Sequence, residues 1–444
     1  MKIVIAGAGE VGSHLARLLS NEEQDIIVID DDTDKLAPLD ANFNLMTISG
    51  KATSFNCLRE ARVGTADLFI AVTPYESTNI VACGIAKSFG TKCTVARVSH
   101  YGFMDPQNGP IMKRMGVDRL IYPEYLAAKE IITSLEHSWA RSWFELHEGQ
   151  IILLGVRLNA DAPLAGMELR ELSQHPWGFH ISAIRRNHET IIPRGDDKIE
   201  AGDILYITTT PDRVNTLVQV CGKDDRRIRK VLIMGGSKIA IRLTDMAGSR
   251  FRFTIIDSDR EVCRRLPVKC PDAAVIYGDA RDPEVLIEAG AAEADAFIAL
   301  SPSSESNILT TLTAKELGIP KSVAEVEDMQ FIPQAEALGI NTVINKKLLA
   351  SSTIFQLLLD ADSSTSKCLA LADAEVAELE VRPNAKITRA AVKDLHLDRN
   401  MTLAGLIRDG QGMLITGNTV IRPGDRVLLF CLSGSLHKLE RLFS

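Results

Sequence analysis

The stretch from residue 3 to residue 19, IVIAGAGEVGSHLARLL, predicts how this chain begins to fold. A short apolar run suited to a buried strand leads directly into Gly7-x-Gly9-x-x-Gly12, and the apolar residues that follow recur at helical spacing. In such a strand–loop–helix unit, the first glycine permits a tight turn and the second lets a phosphate approach the backbone. The third lets helix and strand pack closely. The stretch therefore predicts the phosphate-binding loop of a Rossmann-like sheet.

An acidic residue stands where such a loop needs one. Asp30 ends the next apolar run, DIIVID, 18 residues after Gly12, and a carboxylate at this position can bind ribose hydroxyl groups. Asp31 and Asp32 follow it, and this cluster of carboxylates would repel the 2′-phosphate of NADP. The motif favours a nucleotide with a free adenine ribose, either NAD(H) or ATP/ADP. The alternative is that the glycines serve packing alone.

The same pattern returns in the second half of the chain. VLIMGGSKIAIRLTDMA (231–247) repeats the opening stretch with Gly235 at the position of Gly7, and FTIIDSD (253–259) repeats the acidic strand end with Asp257. Counterparts lie 227–228 residues apart up to the strand TVARV and 222–223 apart beyond it, so the first copy carries about five extra residues around 101–110. So many repeats in one order indicate a tandem duplication.

Each copy is predicted to contain two lobes. In the first lobe, short apolar runs alternate with helical patterns, which is typical of a parallel sheet covered on both faces. The second lobe is rich in strands, with one short helix over PLAGMELRELS (163–173). The fold class is therefore α/β: two Rossmann-like parallel-sheet lobes, each followed by a small α+β lobe. The expected lobes are 1–135, 140–222, 229–358 and 368–444, each with its own core, and the expected linkers are 223–230 and 363–367.

Residues at the ends of the predicted strands extend the candidate nucleotide site of the first lobe, because open parallel sheets bind ligands at these ends. For the residues after the fourth strand the alternative is an ordinary helix cap, and for those after the third strand it is a solvated turn. Arg97, which ends the fifth strand, pairs either with phosphate or with one of the aspartates. The candidate set is Gly7, Ala8, Gly9, Glu10, Val11, Gly12, Asp30, Lys51, Thr53, Thr73, Pro74, Asn79 and Arg97.

The second lobe departs from this pattern at its phosphate loop. Ser237 and Ala240 replace the second and third glycines, and Ser237 narrows the approach of a phosphate. Acidic residues also replace Lys51 and Arg97, so we expect a more acidic pocket. It binds a nucleotide weakly, binds a different nucleotide or another small anion, or stays empty. Its candidate residues are Gly235, Gly236, Ser237, Asp257, Asp279, Ser301 and Glu325.

Composition excludes several function classes. The 444 residues carry a formal net charge of −8 and are only 5% aromatic, which argues against nucleic-acid binding. No apolar run approaches the roughly 18–20 residues of a membrane span, and the N-terminus lacks signal-peptide architecture. Eight cysteines without a CxxC pair fit a reducing cytoplasm. The nine histidines form no recognisable ligand set, so we expect no metal site.

Catalytic machinery is not apparent. Tyr125 and Lys129 share the spacing of the Tyr–Lys pair of short-chain dehydrogenases and would lie on one helix face. Those enzymes, however, have a differently spaced glycine motif, and the second copy of this chain lacks the tyrosine. The small lobes hold no cluster of acid, base and nucleophile. We expect no catalytic residues, and a soluble NAD-dependent oxidoreductase is the alternative function.

The duplicated plan and its motifs resemble the TrkA family, potassium-uptake regulators built from two RCK (also called KTN) units. The shared motifs are AGAGEVG (6–12), GKAT (50–53), AVTPYESTN (71–79), VARV (95–98) and the IEAGD/IRPGD turns. The resemblance covers essentially the whole chain, although the loop GGSKIA (235–240) departs from the family's second site. It implies NAD(H) and ATP/ADP contacts at Gly7 to Val11, Asp30, Thr53, Thr73, Pro74 and Arg97.

The resemblance also implies a place in the cell. Members of this family are cytoplasmic and peripheral on the inner face of the cell membrane, where they dock on an integral potassium-uptake subunit of the TrkH or TrkG type. We therefore expect a dimer or tetramer that gates such a channel and binds no nucleic acid. RCK lobes pair through apolar helices, and EYLAAKEIITSLE (124–136), with Ile131 and Leu135, is the expected pairing helix.

Overall fold

The computed structural model of the chain divides into two compact units. It describes residues 1–20, 24–147, 149–172, 174–175, 177–187, 189–361, 365–371, 374–395, 397–432 and 442–443. One unit joins Met1–Ile132 to Arg229–Leu358, and the other joins Thr133–Ile228 to Leu359–Ser444. The first unit holds two parallel sheets and the second holds two antiparallel sheets. Each unit therefore combines segments from both halves of the duplicated sequence.

The first parallel sheet is built from six short apolar strands that alternate with helices along the chain. They are β1 (Lys2–Ala6), β2 (Asp25–Asp30), β3 (Met46–Ser49), β4 (Leu68–Ala71), β5 (Cys93–Arg97) and β6 (Arg119–Ile121). Their order is β3-β2-β1-β4-β5-β6, the strand order of dinucleotide-binding sheets. It places the carboxyl ends of β1 and β4 at the point where the order reverses, which is where such sheets bind ligands.

Helices cover this sheet because their apolar residues recur on one face. The first helix buries Val11, Leu15 and Leu19 against the strands, as its spacing predicts. Three-ten turns at Tyr101–Met104 and Pro106–Asn108 occupy the stretch where the first copy has extra residues. The helices are α1 (Glu10–Ser20), α2 (Thr33–Asn42), α3 (Phe55–Glu60), α4 (Glu76–Phe89), α5 (Gly109–Arg114) and α6 (Pro123–Glu136).

The first small lobe is an antiparallel sheet with more elements than the sequence predicts. Its strands are β7 (Ser142–Leu146), β8 (Ile151–Arg157), β9 (Phe179–Arg186), β10 (Glu189–Ile191) and β11 (Ile204–Thr209), in the order β10-β9-β11-β8-β7. The strands β8, β9 and β11 coincide with the apolar runs ILLGVRL (152–158), HISAIRR (180–186) and DILYITTT (203–210). The predicted helix shrinks to α7 (Leu169–Leu172), and a further helix, α8 (Val214–Val220), follows the last strand.

The second parallel sheet repeats the first, which confirms the duplication. Its strands are β12 (Lys230–Met234), β13 (Arg252–Asp257), β14 (Ala274–Tyr277), β15 (Ala296–Ala299), β16 (Lys321–Glu325) and β17 (Thr342–Ile344). They follow the order β14-β13-β12-β15-β16-β17. Its helices are α9 (Lys238–Ala247), α10 (Arg260–Lys269), α11 (Pro283–Glu288), α12 (Ser304–Glu316), α13 (Ile332–Ala337) and α14 (Lys346–Ala361).

The second small lobe repeats the topology of the first. Its strands are β18 (Thr365–Leu371), β19 (Ala374–Glu380), β20 (Met401–Arg408), β21 (Gln411–Leu414) and β22 (Arg426–Leu432). Their order β18-β19-β22-β20-β21 matches that of the first small lobe read from the other edge. The linker predicted over 363–367 is partly wrong, because Thr365 onward belongs to β18. Residues 363 and 364 lie outside the described residues.

A buried ion pair is repeated in both small lobes. The guanidinium of Arg186 forms two hydrogen bonds with the carboxylate of Asp203, at 2.8 and 2.7 Å. Arg408 and Asp425, both 222 residues later, form the same pair at 2.9 and 2.6 Å. Each aspartate is only 2% exposed. An unpaired buried charge is costly, so each arginine stabilises its buried aspartate. Each pair also joins the Gly-Asp turn before the last strand to the end of another strand.

Both parallel-sheet lobes and the first small lobe have core clusters of their own, and two further clusters join the two copies. Ala350 and Ile354 of α14, in the second half, are fully buried in the same cluster as Ile5 and Leu15 of the first half. In the other unit, Phe430 packs in one cluster with residues of the first small lobe. The two copies therefore stabilise each other by apolar burial.

Helix α6 is already covered within the chain. Ile131 and Leu135, which the sequence predicts as contacts of lobe pairing, are 0% and 1% exposed. A charge at either position would therefore have to be buried in the chain itself, and its effect on folding would precede any effect on assembly. Among the described helices, none is both long and apolar enough to cross a bilayer.

Candidate functional site

The glycine loop of the first lobe is built as its sequence predicts. Gly7 has a φ of +112°, a conformation that disfavours other residues, and its N–H donates to the carbonyl oxygen of Ile29 at 2.8 Å. A Cβ added to Gly7 would lie 3.0 Å from the backbone nitrogen of Thr73, and one added to Gly12 would overlap the carbonyl oxygen of Gly7. The fold itself therefore requires the first and third glycines.

Gly9 differs from the other two glycines because the fold does not require it. A Cβ added to Gly9 would have no atom of the described chain within 4 Å. Gly9 immediately precedes α1, where backbone N–H groups lack helical partners and attract anions. The second glycine thus leaves open space in front of a helix N-terminus, as a bound phosphate requires.

Asp30 is held in place at the carboxyl end of β2 by two backbone groups. One carboxylate oxygen accepts from the N–H of Ala8 at 2.6 Å, and the other accepts from the N–H of Asp32 at 2.9 Å. Each oxygen keeps a further lone pair, because a carboxylate offers about four acceptor positions. The half-buried carboxylate is therefore tied to the glycine loop and still able to accept hydrogen bonds from ribose hydroxyls.

Asn79 ties together the ends of β4 and β5. Its side-chain oxygen accepts from the backbone N–H of Thr73 at 2.9 Å and from the Thr73 hydroxyl at 2.7 Å. Its side-chain nitrogen donates to the carbonyl oxygens of Thr73 at 3.0 Å and Arg97 at 2.8 Å. Asn79 is 0% exposed, so its amide is used within the chain. In the structure Asn79 positions the strand ends, and its direct contact with a nucleotide stays a prediction.

The remaining candidates surround this edge of the sheet. Lys51 and Pro74 are exposed, whereas Thr53 and Arg97 are half-buried. Arg97 forms no salt bridge within the part of the chain that the structure describes, so the alternative of pairing with an aspartate finds no support there. The structure brings these residues to the edge where Asp30 lies, because parallel strands end on the same side.

Three loop residues divide between core and surface. Ala8 and Val11 are 3% and 5% exposed, so they offer a ligand their backbone groups and not their side chains. The side chain of Glu10, the first residue of α1, is 71% exposed and forms a salt bridge with Lys347, the second residue of α14. The sequence does not predict this contact between the two lobes.

The second glycine loop is capped by its own side chain. Gly235 keeps a φ of +98°, and Asp257 accepts from the N–H groups of Gly236 and Asp259 at 2.7 and 2.8 Å, as Asp30 does in the first lobe. The hydroxyl of Ser237, however, accepts from the N–H of Ala240 at 3.3 Å and so serves as the N-cap of α9. A side chain therefore takes a donor that a phosphate would otherwise use.

Two acidic groups of the second pocket, Asp279 and Glu325, have basic partners within the chain. Asp279 forms a salt bridge with Arg281 at 2.6 Å, and this hydrogen-bonded partner lowers the pKa of Asp279. Glu325 is 4% exposed and lies 2.8 Å from the Nζ of Lys346. Burial nevertheless raises the pKa of Glu325 to about 7. Ser301 contacts Asn307, which repeats the arrangement of Thr73 and Asn79.

The sequence also misses a second contact between the lobes. The guanidinium carbon of Arg242, on α9, lies 3.6 Å from the ring centroid of Tyr101, in the stretch where the first copy has extra residues. This distance allows a cation–π interaction. Only the insertion at 101–110 marks this position in the sequence, and the insertion alone does not reveal what it contacts.

Tyr125 and Lys129, which share the spacing of the dehydrogenase pair, both lie on helix α6 of the first lobe. Tyr125 is half-buried and packs against the core of the first lobe, while Lys129 is exposed on the same helix. Among the described residues, no group of three or more His, Cys, Asp or Glu side chains is placed to hold a metal ion. The seven cysteines whose side chains are described carry free thiols.

Comparison with known families defines the class of protein. The TrkA-N domain family matches residues 3–123 and 231–346, and the TrkA-C domain family matches residues 153–222 and 376–444. Each half of the chain is thus one TrkA-N domain followed by one TrkA-C domain. The chain belongs to the TrkA family.

Individual relatives resemble the chain over its whole length. The Trk system potassium uptake protein TrkA of Azorhizobium caulinodans is 28% identical, with 100% of this chain and 98% of the relative covered. A TrkA homolog of Archaeoglobus fulgidus is 30% identical, and both chains are fully covered.

Solved structures share the fold. The GsuK RCK domain superposes with a TM-score of 0.61 at 19% sequence identity. The superposition covers 100% of this chain and 94% of the GsuK chain. The GsuK channel bound to NAD superposes with a TM-score of 0.62 at 18% identity over 100% and 78% of the two chains.

Proposed function

We propose that this protein is a regulatory subunit that senses nucleotides and thereby gates a membrane potassium-uptake channel or transporter. The full-length relatives are named as Trk system potassium uptake proteins, which supports the transport system. We propose a regulatory and not a catalytic role, because the full-length relatives are named as potassium uptake proteins. We also propose that the four lobes, 1–135, 140–222, 229–358 and 368–444, are its functional domains.

The open space at Gly9 is the observation that carries the nucleotide-binding part of this proposal. Packing requires glycine at positions 7 and 12. A Cβ added to Gly9, in contrast, would have no atom of the described chain within 4 Å. That space adjoins the N-terminus of α1 and the Asp30 carboxylate. A pyrophosphate against the helix and a ribose against Asp30 would use both features.

NAD(H) is the first candidate ligand, and ATP or ADP is the second. Asp30 suits the free ribose hydroxyls that these nucleotides share and disfavours a 2′-phosphate. The GsuK channel bound to NAD has a similar fold, which supports NAD(H). In the second lobe, Ser237 caps the helix that a phosphate would contact, so the first pocket is the proposed sensor.

The proposed partner is an integral membrane potassium-uptake subunit of the TrkH or TrkG type. In this proposal the protein is cytoplasmic, lies on the inner face of the cell membrane and assembles as a dimer or tetramer. A nucleotide shifts the channel equilibrium only by its different affinity for two arrangements of the regulator. Couplings in allosteric proteins are typically about 1–3 kcal/mol, or about 5–150-fold in affinity.

Calorimetric titration of NADH, NAD, ATP and ADP tests the nucleotide-binding part. Wild type is expected to bind at least one of them, and Asp30→Ala is expected to abolish that binding. Asp257→Ala is the matched control, because Asp257 makes the same two backbone contacts in the second lobe. Absence of binding to wild type, or equal losses in both variants, would contradict the proposal.

Potassium flux tests the regulatory part. The protein is reconstituted with its membrane partner in vesicles, and potassium uptake is measured with and without the nucleotide that binds. Uptake is expected to depend on the nucleotide with wild type and not with Asp30→Ala. Steady hydride transfer from NADH to a small carbonyl compound, abolished by Tyr125→Phe, would instead support an oxidoreductase.

A further inference from the structure

Lys347 belongs to the second lobe but contacts the glycine loop of the first. It lies in the first turn of α14, and its Nζ forms a salt bridge with the carboxylate of Glu10. The same Nζ donates to the carbonyl oxygen of Glu327 at 2.8 Å and lies 3.3 Å from the Glu327 carboxylate. The Lys347 side chain is only 14% exposed. Its ammonium group is thus held at the first pocket by contacts from both lobes.

Glu10 occupies the position where a nucleotide phosphate would bring negative charge. It is the first residue of α1, at the helix end that favours anions. The Glu10 side chain is 71% exposed, so its salt bridge with Lys347 is open to solvent on one side and easily exchanged. A phosphate bound in front of Gly9 would approach the same helix end and could compete with Glu10 for the Lys347 ammonium.

We propose that Lys347 is a ligand for the nucleotide phosphates of the first pocket, contributed across the lobe boundary and held by Glu10 until a nucleotide binds. This inference rests on the proposed function, because it names a further residue of the same site. Lys347 would add a third basic side chain to this pocket, beside Arg97 and Lys51. Since α14 also packs into the core of the first lobe, binding at Lys347 would tie the nucleotide to the contact between the two lobes.

The duplication shows that this arrangement belongs to the first pocket. The counterpart of Lys347 in the first copy is Glu124, and the counterpart of Glu10 in the second copy is Lys238. The acidic and basic residues are therefore exchanged between these two positions in the second copy. Lys238 there donates to the carbonyl oxygen of Ser99 at 3.4 Å. The first copy therefore has no lysine at the position of Lys347 to contribute to the second pocket.

Nucleotide titrations of the full chain test this role. With Lys347→Met, the affinity for ATP is expected to fall by about tenfold, since a charged hydrogen bond is lost. The affinity for NADH is expected to fall less, because its pyrophosphate carries less charge. Lys347→Arg is expected to stay within about twofold of wild type. Lys269→Met is the control: it removes an exposed lysine from the end of α10, at the opposite edge of the second sheet.

Each outcome decides the proposal. Unchanged ATP affinity in Lys347→Met would overturn it, and so would equal losses for ATP and NADH, which would indicate an indirect effect through the fold. If Lys347→Met does not fold, Glu10→Gln decides, because this exposed substitution frees Lys347 and should tighten ATP binding. ATP binding by Glu10→Gln no tighter than wild type would overturn it. Absence of any nucleotide binding to wild type would instead contradict the proposed function.

Discussion

The side-chain amide of Asn79 donates to the main-chain oxygen of Arg97 at 2.8 Å, and so fixes the distance between two neighbouring strand ends. Asn307 makes the same bond to Glu325, also at 2.8 Å. A fully buried asparagine with all its polar atoms used is a rigid connector, since breaking any one bond leaves a buried group unpaired. The two pockets therefore share a frame, and they differ in the side chains that this frame carries.

We expect Asn79→Ala to lower both stability and nucleotide affinity. It leaves the backbone groups of Thr73 and Arg97 without their side-chain partner, which costs about 1–3 kcal/mol. Urea denaturation gives the stability change, and calorimetry gives the affinity for the nucleotide that wild type binds. Asn307→Ala is the matched control, expected to cost similar stability and to leave first-pocket affinity intact. An equal affinity loss in Asn307→Ala would contradict a local role for Asn79.

The three glycines of the first loop should respond differently to alanine. We expect Gly9→Ala to change the free energy of unfolding by less than about 0.5 kcal/mol, because its Cβ meets open space. Nucleotide affinity should nevertheless fall by at least tenfold, or about 1.4 kcal/mol. Gly12→Ala should instead destabilise the protein by about 1–3 kcal/mol, since its Cβ overlaps the Gly7 carbonyl oxygen. Full nucleotide affinity in Gly9→Ala would contradict the proposed site.

The parallel sheets and the glycine loop are predictable because their signals are local. An apolar strand, a Gly-x-Gly-x-x-Gly loop and an acid at the next strand end all lie within one short segment. The duplication adds a second test, since each element must recur at a fixed offset. The ion pair of Arg186 and Asp203 is also visible in the sequence, because Arg408 and Asp425 both lie 222 residues later.

Contacts between the copies are not predictable in the same way. Lys347 and Glu10 are 337 positions apart, and nothing in either local pattern indicates that α14 packs on the first lobe. The basic partner of Glu325 is missed for this reason, since Lys346 comes from a helix outside the predicted pocket. The use of Ser237 as a helix cap is local, and its capping preference could have suggested it.

We expect Ser237→Gly to open the second pocket. The substitution frees the Ala240 N–H and removes the side chain that narrows the loop, at a stability cost of a few tenths of a kcal/mol. Calorimetry with ATP and NADH should then show a second binding event. Ser237→Ala is the matched control: it frees the same N–H but keeps a Cβ, so its binding should be weaker. A titration of Ser237→Gly identical to that of wild type would show that another feature closes this pocket.

Stability should depend on pH through Glu325. Burial raises its pKa to about 7, above the ordinary 4.5 of an unfolded chain. Below pH 4.5 both states are protonated and Glu325 has no effect. Between 4.5 and 7 the unfolded chain ionises first, so the free energy of unfolding falls as pH rises, by about 3 kcal/mol at most. Glu327 does not oppose this fall. Its pKa is lowered from the ordinary 4.5, so its effect on the free energy of unfolding is confined to pH values below that range.

Glu325→Gln isolates this contribution, because it removes the titrating group and keeps a side chain of similar size. As pH rises from about 5 to about 8, wild type should lose stability relative to Glu325→Gln. The difference between their free energies of unfolding should level off above about pH 7. Urea denaturation at a series of pH values measures it. Asp279→Asn is the control, since this half-exposed carboxylate has a lowered pKa and should give a constant difference over that range. A constant difference for Glu325→Gln as well would show that the Lys346 ammonium keeps Glu325 ionised throughout.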